Sequence, residues 1–144
     1  MTSQPCVLCR PRLETPIVRT STFWRIALNR NQNQLGKTII VLRRHLEEVA
    51  LLSPDEWSEL HAEVRWTTER LRDAYAPDHF NYSFLQNQDR HVHLHVIPRY
   101  VGTRQVGGIE FSDTGYPARY LEPSADEMIV GGNVLAVIAS AFDA

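Results

Sequence analysis

The stretch His91–Tyr100, HVHLHVIPRY, decides how this chain is read. Histidines at 91, 93 and 95 alternate with Val92, Leu94 and Val96. Successive side chains of an extended strand point to opposite faces, so the pattern predicts a strand with His91, His93 and His95 on one side and three aliphatic anchors on the other. Pro98 has no N–H to give to a ladder and is expected to end the strand.

Working outward, Asn87-Gln88-Asp89-Arg90 is a short polar turn, and His79–Gln86 (HFNYSFLQ) reads as the other arm of an antiparallel hairpin. Further upstream, Ile17–Thr20 and Phe23–Leu28 read as short strands about a Ser21-Thr22 turn. Asn29–Gly36 is a polar loop, and the β-branched run Thr38–Leu42 is the next strand. Ser53-Pro54-Asp55-Glu56 carries the signals of a helix start: a capping serine, proline at the first helical position and a glutamate that completes a capping box. Trp57, Leu60, Val64 and Leu71 then recur at helical spacing, which predicts one amphipathic helix over Pro54–Tyr75. After a loop excursion with one short strand at Ile109–Phe111, Ser124 and Glu127 repeat the capping spacing ahead of a helix predicted over Met128–Phe142, weakened by Gly131-Gly132. The fold class that follows is α+β, an antiparallel sheet whose aliphatic side packs on one long helix and a C-terminal helix.

Composition sets bounds on function. A chain of 144 residues suits one domain, here residues 1–144, large enough to bury a core. A formal net charge of −2 leaves no general footprint for nucleic acid, so any recognition of phosphate has to be local. Cys6 and Cys9 are the two cysteines, too few for a disulfide scaffold but spaced C-x₂-C, compatible with metal ligation by thiolates. The start MTSQPCVLCRPR has no apolar signal segment and no run reaches membrane-spanning length, so the expectation is a cytoplasmic protein with no membrane partner. Three imidazoles on one strand face admit several uses: phosphate chemistry, a metal-binding triad, or solvent-facing positions of an edge strand.

The run HVHLHVIPR resembles the motif of the histidine-triad (HIT) superfamily, in which three histidines alternate with apolar residues. The likeness extends over about residues 6–100 and includes the Leu28-Asn29 step, Gly36 ahead of TIIVL and the helix start at Leu52–Glu56; residues 101–144 form an extension. Pro98-Arg99 is similar to the fragile histidine triad branch, whose substrates are dinucleoside polyphosphates. The resemblance implies a HIT-like fold, a nucleotide or dinucleotide substrate, and a homodimer built through the long helix and an extended sheet. It implies hydrolysis of a nucleoside α-phosphate bond, in a dinucleoside polyphosphate, nucleoside phosphoramidate or similar compound, through a nucleotidyl-histidine intermediate. The alternatives are a nucleotidyltransferase or phosphorylase with phosphate or a sugar phosphate as acceptor, and a nucleotide-binding regulatory module.

Residue by residue, the resemblance makes His93 the nucleophile, with its Nδ1–H held by a backbone carbonyl near His91, and makes His95 the donor to the phosphate oxygens. A second imidazole with a pKa near the usual ~6.5 could serve as cationic partner or proton donor. Asn29 is implied at the ribose or phosphate, Gln86, Asn87 and Gln88 beside the phosphate chain, and Ala27 and Leu28 at the base. Arg99 is a candidate for bidentate contact with a distal phosphate. Cys6 and Cys9, with His45 and His91, are implied as a closed and therefore structural zinc site, which gives His91 a metal role beside its place in the triad. Two features depart from the family pattern: Gly36-Lys37 stands where Gly-His is usual, and the turn before the triad lacks the glycine-rich Gly-Gln-Ser/Thr sequence.

Overall fold

The computed structural model describes residues 5–118 and 130–143. Strands β1 (Ile17–Thr20), β2 (Trp24–Leu28), β3 (Thr38–Leu42), β4 (His79–Ser83) and β5 (His93–Arg99) form one antiparallel sheet in the order β1-β2-β3-β5-β4. Helix α1 (Pro54–Tyr75) lies between β3 and β4 in sequence, a hairpin of β6 (Thr103–Val106) and β7 (Ile109–Ser112) follows β5, and a short α2 (Gly132–Ala139) comes last. The α+β reading and its antiparallel sheet hold.

Register assigns the two faces. Ile26, Ile40 and Leu94 are aligned across β2, β3 and β5, and with Trp24, Leu28, Leu42 and Val96 they make the buried side. Ala27, Ile39, His95 and Ser83 are aligned on the opposite side, and Arg25, Val41 and His93 lie in the next row. α1 covers the aliphatic side through Leu60, Thr67, Thr68 and Leu71, and the indole N–H of Trp24 donates to the carbonyl of Glu56 at 2.9 Å. The predicted capping box is formed: Ser53 Oγ accepts from the Glu56 N–H, and the Glu56 carboxylate accepts from the Ser53 N–H at 2.8 Å. Trp57 departs from the predicted apolar stripe. It is 43% exposed and meets Phe84 edge-on, because the buried line runs through Glu56, Leu60, Glu63, Thr67 and Leu71, about 100° round the helix from position 57.

The triad strand differs from expectation at both ends. β5 begins at His93, so His91 and Val92 precede it, and the three histidines do not share one strand face. Pro98 does not end the strand; it pairs with Phe80 of β4. β3 has already stopped opposite Val96, so β5 has a sheet neighbour on one side only at Pro98, the setting in which strands accept proline. β5 lies between β3 and β4, which removes the edge-strand reading of the histidines. β4 stops at Ser83 rather than Gln86, β2 starts at Trp24 rather than Phe23, and β6 is a strand the sequence pattern did not show. α2 starts at Gly132 with Gly131 as its cap; Ser124, Glu127 and Met128 lie outside the described residues.

Candidate active site and metal centre

His93 and His95 alternate with Leu94 on β5, so they point together away from the core, ring centroids 4.9 Å apart. The His93 Nδ1 lies 2.6 Å from the carbonyl oxygen of His91. A carbonyl can only accept, so Nδ1 carries a proton, and in the neutral ring that leaves the lone pair on Nε2. His93 is buried and lines a cavity of about 260 Å³ together with Leu85, Gln86, Asn87, Gln88, Asp89 and His95. The structure thus brings three of the sequence-predicted amides to the histidines. Gln86 is partly committed, since its amide nitrogen donates to the carbonyl of Glu47 at 2.8 Å.

His95 does not fit the expected imidazole of ordinary pKa. Burial, then the neighbouring His93 and then Lys37 push its pKa down to about 4, so it is neutral at pH 7 and offers an N–H rather than a charge. Lys37, the residue that departs from the family pattern, is itself buried beside Thr38 of β3, and its ammonium donates to Asn33 Oδ1 at 2.7 Å. Its charge is near enough to His95 to help lower that pKa, and unlike a histidine at this position it is charged at neutral pH.

His91 turns the other way. It is fully buried, its Nε2–H donates to the carbonyl of Leu42 at 2.6 Å, and its Nδ1 lies 3.3 Å from Cys6 Sγ, 3.4 Å from Cys9 Sγ and 3.2 Å from His45 Nδ1. Cys9 Sγ is 3.3 Å from His45 Nδ1. The Nε2 bond leaves the His91 Nδ1 lone pair facing the sulfurs. Two sulfurs and two imidazole nitrogens, all within 4.8 Å of one another, form a four-donor set able to hold a metal ion. The four sequence-predicted ligands therefore converge from three separate parts of the chain. Burial raises the Cys9 thiol above its usual range and lowers His91 below its own.

Arg25 was not singled out by any motif, yet it shapes the site. From the row of Val41 and His93 its guanidinium donates to the carbonyls of Leu8 at 2.7 Å, Arg10 at 2.8 Å and Pro11 at 3.2 Å. It holds the N-terminal segment against the histidine-bearing face. That segment walls a second cavity of about 510 Å³ whose apolar lining includes Leu8, Leu13 and Ile39, beside Arg10, Arg12 and Arg30; Leu28, whose side chain belongs to the opposite face, borders it. Asn29 lines it and has a buried Oδ1 without a hydrogen-bond partner among the described residues. Leu28 lines this cavity and Ala27 does not. Asp89 lines both cavities and so marks their junction.

Arg99 is placed differently from the sequence expectation. It is 2% exposed, and it donates to Asp113 Oδ2 at 2.7 Å, Asn81 Oδ1 at 2.8 Å and the carbonyl of Ala118 at 2.8 Å. Four residues beyond His95, roughly 13 Å along the strand, this guanidinium anchors the segment after β7 and is not presented to a phosphate.

A five-stranded antiparallel sheet packed on one long helix, with paired histidines on an interior strand and a backbone carbonyl holding one of them, is the architecture of a histidine-triad protein. The family described as "HIT domain" matches residues 14–102, and the chain belongs to it. It is similar to an uncharacterised HIT-like protein of Methanocaldococcus jannaschii, at 27% identity over 70% of this chain and 84% of that protein. Among solved structures it resembles a hypothetical histidine triad nucleotide-binding protein of Sulfolobus tokodaii, with a TM-score of 0.65, 18% identity, and 90% and 82% of the two chains covered. A zinc-bound histidine triad family protein of Mycobacterium smegmatis aligns with a TM-score of 0.59 at 14% identity, over 90% of this chain and 86% of that one.

Proposed function

We propose that this protein is a nucleotidyl hydrolase that cleaves a nucleoside α-phosphate bond through a covalent intermediate on His93. The single observation that carries the reading is the 2.6 Å contact of His93 Nδ1 with the His91 carbonyl, which in the neutral ring leaves the Nε2 lone pair as the nucleophile beside a cavity. The nucleoside occupies the larger cavity, its base on the apolar lining and its sugar or phosphate at the unpartnered Oδ1 of Asn29 or its amide. The α-phosphate sits over His93 and His95, with Asn87, Gln88 and the remaining donor capacity of Gln86 around it. His93 Nε2 attacks phosphorus, the N–P bond forms, and the bond to the leaving group breaks with its electron pair going to the leaving atom, which is protonated from water. Water then attacks phosphorus, the N–P bond breaks with its pair returning to Nε2, and the proton lost by the attacking water goes to solvent, replacing the one taken up by the leaving group. The neutral His95 donates to a non-bridging oxygen, and the nearby Lys37 charge favours the anion. His93→Ala, incubated with an adenosine phosphoramidate or a dinucleoside polyphosphate, should yield no nucleotidyl adduct and no turnover while remaining folded. An adduct mapped to a different side chain would refute the reading.

The metal reading is zinc at Cys6, Cys9, His45 and His91. Tetrahedral geometry with Zn–S of about 2.3 Å and Zn–N of about 2.05 Å implies S···N of about 3.6 Å and N···N of about 3.3 Å, close to the separations here. Four protein donors leave no open position, so the ion's role is to cross-link the N-terminal segment, the residues after β3 and the lead-in to β5. The protein acts as a homodimer in this reading, through the outer edge of β4 and the start of α1, where Tyr82 and Trp57 are exposed at 50% and 43%.

A further inference from the structure

The N-terminal segment lies outside the sheet, and one side chain holds most of it. Its short 3₁₀ turn uses the carbonyls of Cys6 and Val7, which accept from the Cys9 and Arg10 N–H groups. The carbonyls of Leu8, Arg10 and Pro11 are taken instead by the guanidinium of Arg25 on β2, at 2.7, 2.8 and 3.2 Å. Arg25 is 8% exposed, and no carboxylate pairs with it among the described residues. For packing alone a buried guanidinium is a poor choice, since an apolar side chain of similar volume serves as well or better. An apolar side chain cannot, however, fix three peptide carbonyls in one place. The next tie along the segment is Thr15 Oγ1, which donates to the Leu28 carbonyl, and the Glu14–Arg30 pair beside it is exposed on both sides and adds little. The stretch so held is a wall of the larger cavity: Leu8, Arg10, Arg12 and Leu13 line it with Asn29 and Ile39. Arg25 lines neither cavity, and its row on the sheet sets it two strands, roughly 10 Å, from His93.

We infer that Arg25 is a positioning residue for nucleotide binding: it holds residues 8–13 closed as one wall of the nucleoside cavity, and wall closure and nucleotide binding favour each other. The inference rests on the nucleoside's proposed place in the larger cavity and adds to the binding machinery a residue outside the triad strand. Without the guanidinium the wall is closed for only part of the time, and the apparent affinity for nucleotide falls by that fraction. A bound nucleotide in turn holds the wall shut, because the coupling of two equilibria is reciprocal. The chemistry at His93 and His95 is left as it was, since β5 is fixed between β3 and β4.

The experiment compares the full wild-type chain with Arg25→Met and uses AMP as the binding probe, because it needs no turnover. By titration calorimetry the Kd for AMP should rise about tenfold in the variant, as for a wall closed about one-tenth of the time. With an adenosine phosphoramidate as substrate, KM should rise by a similar factor while kcat stays within about twofold. The Arg12–Leu13 peptide bond gives a direct readout, because trypsin cuts a folded chain after arginine only where the backbone opens locally. Cleavage there, followed by the mass of the released fragment, should be about tenfold faster in Arg25→Met, and saturating AMP should slow it in both proteins. Metal content should equal that of the wild type, since Cys6, Cys9, His45 and His91 are unchanged. Arg25→Lys keeps the charge but offers one nitrogen to three carbonyls; it should move Kd and cleavage the same way by about threefold, and it serves where the methionine variant does not fold. A folded variant in which either Kd or the cleavage rate matches the wild type overturns the inference. So does a loss of metal in step with the loss of affinity, which would move the role to the metal donors. If the wild type binds no AMP, the proposed function falls and this inference falls with it. If AMP binds as expected but no adduct forms at His93, the proposed chemistry falls and the role of Arg25 stands.

Discussion

Replacing Arg99 with methionine separates a structural arginine from a phosphate-binding one. The side chain is 2% exposed and its partner carboxylate, Asp113, is 1% exposed. Asp113 is also held by the Tyr100 N–H at 3.1 Å, and although burial works to raise its pKa, the Arg99 and Tyr100 bonds win and hold it below the usual carboxylate range. Methionine fills much of the same volume but leaves Asp113, Asn81 and the Ala118 carbonyl without the guanidinium. Breaking a buried pair from one side costs about 3–5 kcal/mol. For a domain of this size that corresponds to a fall of roughly 6–20 °C in Tm. Thermal and urea unfolding followed by circular dichroism measure it, and steady-state kinetics on a dinucleoside polyphosphate, run well below the variant's Tm, supply the second readout. KM should stay within about twofold of wild type, since the guanidinium lies roughly 13 Å along the strand from His95. A further change of Asp113 to leucine in the Arg99→Met background should recover part of the loss, because no buried charge is then left alone. A variant as stable as the wild type, with KM for the polyphosphate raised tenfold or more, would refute the structural assignment and return Arg99 to the substrate.

Other outcomes follow from single contacts. Purified protein should contain about one zinc per chain, and Cys6→Ser with Cys9→Ser should abolish it, whereas His93→Ala should not; metal analysis checks both. Gly36 has φ +84°, and a Cβ there would lie 2.5 Å from Leu71 Cδ2, so Gly36→Ala should cost about 2–4 kcal/mol from the left-handed backbone and overpacking together, measured by urea unfolding. Pairing it with Leu71→Ala should remove the clash but not the backbone part. Glu56 is held at a pKa of about 2, chiefly by its bonds to Arg44, so its contribution is complete above its unfolded value of about 4.5 and is lost as pH falls toward 2. Arg44 is half exposed, so solvent screens the pair, and Glu56→Gln should flatten the acid limb of a stability–pH curve measured by urea unfolding. His95, lowered to about 4, should stay neutral down to about pH 5, so nucleotidylation of His93 should show no loss from this group between pH 7 and 5 in single-turnover assays.

Much of the architecture was legible because it depends on short-range rules. Period-two alternation marks Leu94 and Val96 as core and His93 and His95 as the opposite face, and the capping box at Ser53–Glu56 marks the start of α1; both are consequences of local backbone geometry. The same rules misplace features that depend on neighbours. Pro98 reads as a terminator until the strand is seen to have a partner on one side only, and Trp57 reads as core until the helix is rotated to bury Glu56 and Glu63 instead. Arg99 reads as a ligand until Asp113, fourteen positions later, folds back upon it.

By itself the sequence determined the histidine spacing, the alternation that puts His93 and His95 on one strand face and the C-x₂-C pair, since each is a matter of residue type and local repeat; His45 and His91 joined the metal set only through the family resemblance. Tertiary structure alone decided the division of labour among the three histidines. Only the register of β5 with β3 and the approach of the N-terminal segment, fastened by Arg25, turn His91 toward the cysteines and leave its carbonyl for the His93 ring. Asp89 sits at the junction of two cavities for the same reason: distances between residues far apart in sequence are set by packing, which no local pattern encodes.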